Sequence, residues 1–196
     1  SFKVIADVDS ATMVNSSGGG IVEEKLCTSA EASRFLQMQS TDKVWLLDDV
    51  EETRHLGEVL ATQIPALTVL LLEGPLGAGK TSIVQGMAKA LGITEPVTSP
   101  TFAIAQHYPS GCPPLIHIDL YRLEEPHSAD ELFIQEEEEA QAIGAIMAIE
   151  WSERLAISIP EAWRLNLTYQ SKKGRIAQLT IPSTDFKNLS TSASVG

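Results

Sequence analysis

One segment constrains the fold of this chain more than any other: Gly74-Pro-Leu-Gly-Ala-Gly-Lys80-Thr81. It spells G-x-x-x-x-G-K-T, a complete phosphate-binding loop. Glycines at 74, 77 and 79 let the backbone turn with its N–H groups pointing inward, where a bulky side chain would block an approaching phosphate. In such a loop Lys80 reaches the β- and γ-phosphates and the Thr81 hydroxyl ligates Mg²⁺. The flanks agree. Thr68–Leu72 is a short apolar run of the kind a buried parallel strand needs, and Ser82–Leu91 reads as a helix stopped by Gly92. Strand, glycine-rich loop and helix N-terminus form the arrangement in which amide dipoles hold polyphosphate. The segment therefore predicts nucleoside triphosphate binding.

The rest of the chain extends this pattern. Asp48–Ala61 sets Val50, Leu56, Val59 and Leu60 broadly on one helical face, with acidic residues in the first turn where the dipole favours them. Val97–Gln106 reads as a turn entering a strand. Leu115–Asp119 and Gly144–Glu150 read as strands that each end in a carboxylate, and Glu131–Gln141 as an acidic helix. Trp163–Tyr169 and Arg175–Ile181 alternate like two antiparallel strands joined through Ser171-Lys-Lys-Gly174. This mix predicts an α/β fold of the P-loop NTPase type: a mainly parallel central sheet with antiparallel edge strands and flanking helices. The main domain is expected over 44–182. Residues 1–43, with the hinge-like Ser16–Gly20 and one modest helix over Glu23–Met38, are expected to be a flexible extension, and 183–196 a loose tail.

Composition narrows the partners. With 14 basic and 26 acidic residues the net charge is −12, and the pI lies near 4.7. Such a surface repels phosphate backbones, so work on nucleic acid is expected to pass through a partner. Cys27 and Cys112 form neither a metal cluster nor a disulfide framework, which suits a reducing compartment. No run approaches the ~20 apolar residues of a membrane span. Ser1-Phe-Lys-Val lacks an initiating methionine and a signal pattern, so the chain is expected to be trimmed, processed or cut from something longer.

A triphosphate and its cation need acidic groups at the carboxyl ends of strands adjoining the loop, because ligands bind there in open α/β sheets. Asp119 and Glu150 qualify. One is expected to hold Mg²⁺ directly or through water, and the other to do the same or to orient the attacking water. Ser99-Pro-Thr101, between two elements, has the composition of a γ-phosphate sensor but equally that of a simple turn. Arg122, Arg154 and Arg175 are the arginines near recognisable elements. His55, His107, His117 and His127 show no metal-ligand spacing, and His117 reads as a core residue. Glu136–Glu139 reads most simply as a solvated helix face.

Four blocks in order also resemble one family: the phosphate loop, Val-Thr-Ser-Pro-Thr-Phe, His-Ile-Asp-Leu-Tyr-Arg-Leu and Ile-Glu-Trp-Ser-Glu. Together they are similar to the small ATPase of tRNA threonylcarbamoyladenosine biosynthesis, the TsaE type. The resemblance implies a cytoplasmic or organellar ATPase that assists a threonylcarbamoyltransferase heterodimer of the TsaD–TsaB type and meets tRNA only through it. Hydrolysis would serve repeated turnover rather than the transfer itself. It assigns Gly77, Ala78, Gly79, Lys80, Thr81 and Ser82 to the phosphates of ATP, and Thr81, Asp119 and Glu150 to Mg²⁺. It further brings Arg175 to ATP, the helix of Thr53 near the adenine, and Ser99-Pro-Thr101 to nucleotide sensing. Lys80, Asp119 and Glu150 are the expected catalytic residues. The chain departs from the family pattern at Pro75, where an Asp is usual, at Ser82, and in the glutamate run, where a glycine is expected. A small-molecule kinase is the alternative, although no arginine-rich lid follows the loop; a guanine-specific switch would need an absent Asn-Lys-x-Asp motif. A non-catalytic ATP-dependent scaffold is the remaining alternative.

Overall fold

The computed structural model describes residues 3–6, 43–98, 104–170 and 174–182. Ser16–Gly20, the helix expected over Glu23–Met38, Ser99-Pro-Thr101, the turn residues 171–173 and the tail from Ser183 lie outside them. The described elements run β1 (Lys3–Ala6), β2 (Lys43–Leu47), α1 (Val50–Gln63), β3 (Val69–Glu73), α2 (Lys80–Ala90), β4 (Ala105–Tyr108), β5 (Leu115–Asp119), α3 (Pro126–Ile143), β6 (Ile146–Glu150), a 3₁₀ turn (Ser152–Arg154), β7 (Trp163–Tyr169) and β8 (Arg175–Thr180).

The eight strands of the described residues form one sheet, in the order β1-β2-β8-β7-β3-β6-β5-β4. β7, β3, β6 and β5 are mutually parallel, whereas β4 on one side and β8, β2 and β1 on the other pair antiparallel. This is the expected P-loop NTPase-like α/β architecture. The antiparallel side runs further than the sequence reading, which did not anticipate a strand at Lys43–Leu47 or at Lys3–Ala6.

The central strands are apolar on both faces because helices cover both. Leu70 and Leu72 of β3 pack with Leu56 and Leu60 of α1 and Ile83 and Met87 of α2. Leu71 points the other way, towards Ala129, Phe133 and Ala140 of α3. Alternation along a strand gives this division, and each Leu or Ile so buried contributes about 1.5–3 kcal/mol. α1 and α2 approach closely through two glycines. A Cβ on Gly57 would stand 2.1 Å from the Ile83 carbonyl oxygen, and one on Gly86 would stand 1.8 Å from that of Arg54. α1 starts at Asp49, whose carboxylate accepts from Glu52 N at 2.9 Å.

α3 begins at Pro126, five residues before the expected start, and ends at Gly144 with φ +72°. Its acidic run is not a wholly solvated face. Glu136 is buried, and its Oε2 lies 2.5 Å from Nε2 of His107 on edge strand β4. Ala129, Phe133, Glu136 and Ala140 fall at helical spacing on the one stripe that faces the sheet, so the first glutamate of the run is buried, Glu137 is half-buried and Glu138 and Glu139 are exposed.

Candidate nucleotide-binding site

Strand parity and strand direction together assemble the site. β5 and β6 are parallel neighbours with Asp119 in register with Glu150, so both carboxylates emerge at the carboxyl edge of the sheet. β3 is the next strand, with Leu72 opposite Glu150, and the phosphate loop leaves its end. Leu115, His117 and Asp119 share one face of β5, and Ile146, Ala148 and Glu150 share one face of β6. Leu115, Ile146 and Ala148 belong to the core beneath α1 and α2. The polar residues in these two rows therefore face α2.

The loop itself needs its glycines. Gly74, Gly77 and Gly79 have φ of +131°, +76° and +105°. A Cβ at Gly79 would stand 3.1 Å from Thr53 Cγ2 and 3.2 Å from Arg175 Nε. One at Gly77 would meet the Tyr169 hydroxyl at 2.9 Å. α2 starts at Gly79 with no side-chain cap and no acidic residue in its first turn. The leading amides of such a helix have no intrahelical acceptor, which makes this end suited to an anion.

Thr81, in that first turn, donates its hydroxyl to Glu150 Oε1 at 2.8 Å. His117 Nε2 lies 3.0 Å from the same oxygen, with both histidine and glutamate buried. Asp119 Oδ1 accepts from Tyr121 N at 3.0 Å. Lys80 is folded back: Nζ donates to the Gly74 and Pro75 carbonyls at 2.6 and 3.1 Å and sits 3.9 Å from the centroid of the Trp151 ring. Burial pushes the Lys80 ammonium below the ordinary lysine range, opposed by the Glu150, Glu153 and Asp119 carboxylates. The ammonium is partly dehydrated and held by two neutral carbonyls, which a phosphate oxygen can replace. Pro75 occupies the exposed rim and accepts from Lys80 Nζ through its carbonyl.

Ala78, Ser82, Thr53 and Arg175 lie beside the loop or within it. Ala78 is fully buried under the loop, and Ser82 follows Thr81 in the first turn of α2. Thr53 is fully buried, bonded through Oγ1 to Asp49 O, with its methyl against Gly79. Arg175 comes from the antiparallel side; its Nη2 is 3.4 Å from Gly77 O, and its buried Nε has no hydrogen-bond partner among the described residues. Arg122 follows β5, and Arg154 closes the 3₁₀ turn after β6.

Three neighbours were missed. Tyr169 donates its hydroxyl to Leu76 O at 2.7 Å and steadies the loop from outside. Trp151 takes a left-handed backbone, φ +60°, uncommon for a bulky residue, and its ring packs tilted at 46° against Tyr121 with centroids 4.9 Å apart. His117 bonds a candidate cation ligand rather than only filling the core. The Glu150–Trp151 pairing within one sequence block was the available signal for Trp151. Nothing local marked Tyr169.

The donor set suits a hard cation shared with a substrate. Among the described residues no group of three or more His, Cys, Asp or Glu could hold a metal alone. Two carboxylates and a hydroxyl are what Mg²⁺ takes when phosphate oxygens and water complete its octahedron.

Residues 47–177 match the family model described as "Threonylcarbamoyl adenosine biosynthesis protein TsaE". A Nostoc sp. protein named tRNA threonylcarbamoyladenosine biosynthesis protein TsaE is 45% identical over 135 residues, covering 68% of this chain and 83% of the relative. The protein of that name from Bacillus subtilis is 37% identical over 117 residues, covering 60% and 71%. Among solved structures, the crystal structure of Bacillus subtilis YdiB superposes with a TM-score of 0.62 at 28% identity, covering 80% of this chain and 96% of that one.

Proposed function

This chain belongs to the TsaE family of tRNA threonylcarbamoyladenosine biosynthesis, and from that premise we propose that it is a Mg²⁺-dependent ATPase. The observation that carries this reading is the junction at Glu150 Oε1, where the first turn of an uncapped helix meets the carboxyl end of a parallel strand through Thr81. ATP lies with its phosphates on the amides of Gly77–Ser82. Lys80 gives up the Gly74 and Pro75 carbonyls for phosphate oxygens. Arg175, with an unpartnered Nε beside Gly79, approaches from the opposite wall, and Thr53 bounds the nucleotide on the α1 side. A bound Mg²⁺ would supply Lewis-acid stabilisation of the phosphate charge. Thr81 and Glu150 would hold it, and Asp119 would either complete the set or orient the attacking water. The small-molecule kinase remains the alternative reading, separated by phosphoryl transfer to any metabolite.

The client of the ATPase is a threonylcarbamoyltransferase heterodimer of the TsaD–TsaB type. A chain of net charge −12 reaches tRNA only through such a partner. Among the described residues no helix is long and apolar enough to cross a membrane. The deciding experiment is ATP hydrolysis by the purified chain, alone and with the heterodimer from the same organism. Strong stimulation that disappears in Lys80→Ala supports the reading. ATP binding without stimulation removes the heterodimer as client, and absence of ATP binding removes the ATPase.

A further inference from the structure

His117 is the one fully buried histidine of the described residues, and it touches the candidate cation site without belonging to it. We propose that His117 is a positioning residue: it donates Nε2–H to Glu150 Oε1 and thereby fixes the carboxylate that Thr81 and the cation share. The inference rests on the reading of Thr81 and Glu150 as Mg²⁺ ligands.

Geometry settles the direction of the bond. An ionised carboxylate only accepts, so the ring nitrogen 3.0 Å from Oε1 carries the proton. Nδ1 then presents a lone pair, and Nδ1 is the ring nitrogen with no partner among the described residues. The opposite tautomer would set a lone pair against the carboxylate and bury an N–H with nothing to receive it, the costlier defect. Thr81 alone does not immobilise Glu150, because the last torsion of a glutamate is broad. Two donors from different elements, α2 and β5, converging on Oε1 leave one orientation, and among the described residues they leave Oε2 without a protein donor. His117 reaches this place because it lies two residues before Asp119 on the same face of β5 and in register with Ala148, two before Glu150.

The test measures nucleotide affinity of the full chain in EDTA and in saturating Mg²⁺, with the tautomer of His117 read by nitrogen-15 NMR. His117→Leu should keep the metal-free affinity within about twofold and lose about tenfold or more of the tightening by Mg²⁺, as loss of a ligand's supporting partner does. His117→Gln, which keeps an N–H near the position of Nε2, should recover most of it. An unchanged Mg²⁺ increment in folded His117→Leu overturns the proposal, and so does an equal loss with and without metal, which a packing role alone would produce. Should His117→Leu fail to fold, the wild-type spectrum decides: an Nε2–H tautomer supports the proposal and an Nδ1–H tautomer overturns it. If Mg²⁺ leaves wild-type affinity unaltered, the ligand assignment itself fails, a result distinct from any of these.

Discussion

Two histidine–glutamate pairs sit on neighbouring strands of this sheet, with different surroundings. His117 of β5 meets Glu150 at 3.0 Å, and His107 of β4 meets Glu136 at 2.5 Å. Both glutamates are buried, while the His107 side chain is 40% exposed and that of His117 is 0% exposed. Glu150 ends a parallel strand, where the phosphate loop, Thr81 and Lys80 converge. Glu136 lies inside α3 and ties an antiparallel edge strand to the helix that covers it. The chemistry of the two pairs is the same, yet only one has a helix N-terminus and a second carboxylate beside it. Strand direction makes the difference, since parallel neighbours deliver all their carboxyl ends to one edge.

The comparison can be broken at either pair. The largest expected effect is at Lys80: Lys80→Ala should abolish triphosphate binding or nearly so, measured by titration calorimetry, and normal binding would remove the loop from the site. Next, Asp119→Ala and Glu150→Ala should retain some binding but lose hydrolysis by about 10²-fold or more, the scale of removing a key charge-stabilising group. Normal hydrolysis in both variants would make Glu150 no more functional than Glu136. Glu136→Ala should cost about 0.5–1.5 kcal/mol in denaturant unfolding, the net worth of one hydrogen bond, with hydrolysis unchanged within measurement error. A collapse of hydrolysis there would place the second pair in the mechanism too. Smallest, Tyr169→Phe removes an exposed bond to Leu76 O and should weaken nucleotide binding only a few-fold, within about 1 kcal/mol.

Legibility followed the range of the interactions. The phosphate loop, β5 ending at Asp119, β6 ending at Glu150 and the β7–β8 hairpin could be read because each is a local pattern of glycine, apolar run or alternation. Misreadings arose where a distant partner decided. Glu136 stands in a row of four glutamates and carries no local mark separating it from Glu137; the edge strand supplies His107 and makes the distinction. Lys43–Leu47 is too short to announce itself and becomes a strand because β8 offers an open antiparallel edge from Arg175 to Leu179. Tyr169 and Leu76 are far apart in the chain and adjacent only because β7 pairs with β3.

The sequence by itself determined the family, the glycine-rich loop with its lysine and threonine, and the two strand-end carboxylates, because turns, apolar runs and the spacing G-x-x-x-x-G-K-T are written in consecutive residues. Only the tertiary structure decided which donors meet. Thr81 and His117 converge on one oxygen of Glu150, Lys80 rests on its own loop and on Trp151, and Arg175 arrives from the antiparallel side. A hydrogen bond depends on position within a few tenths of an ångström, and that is set by how strands register and helices pack, which no local pattern of residues records.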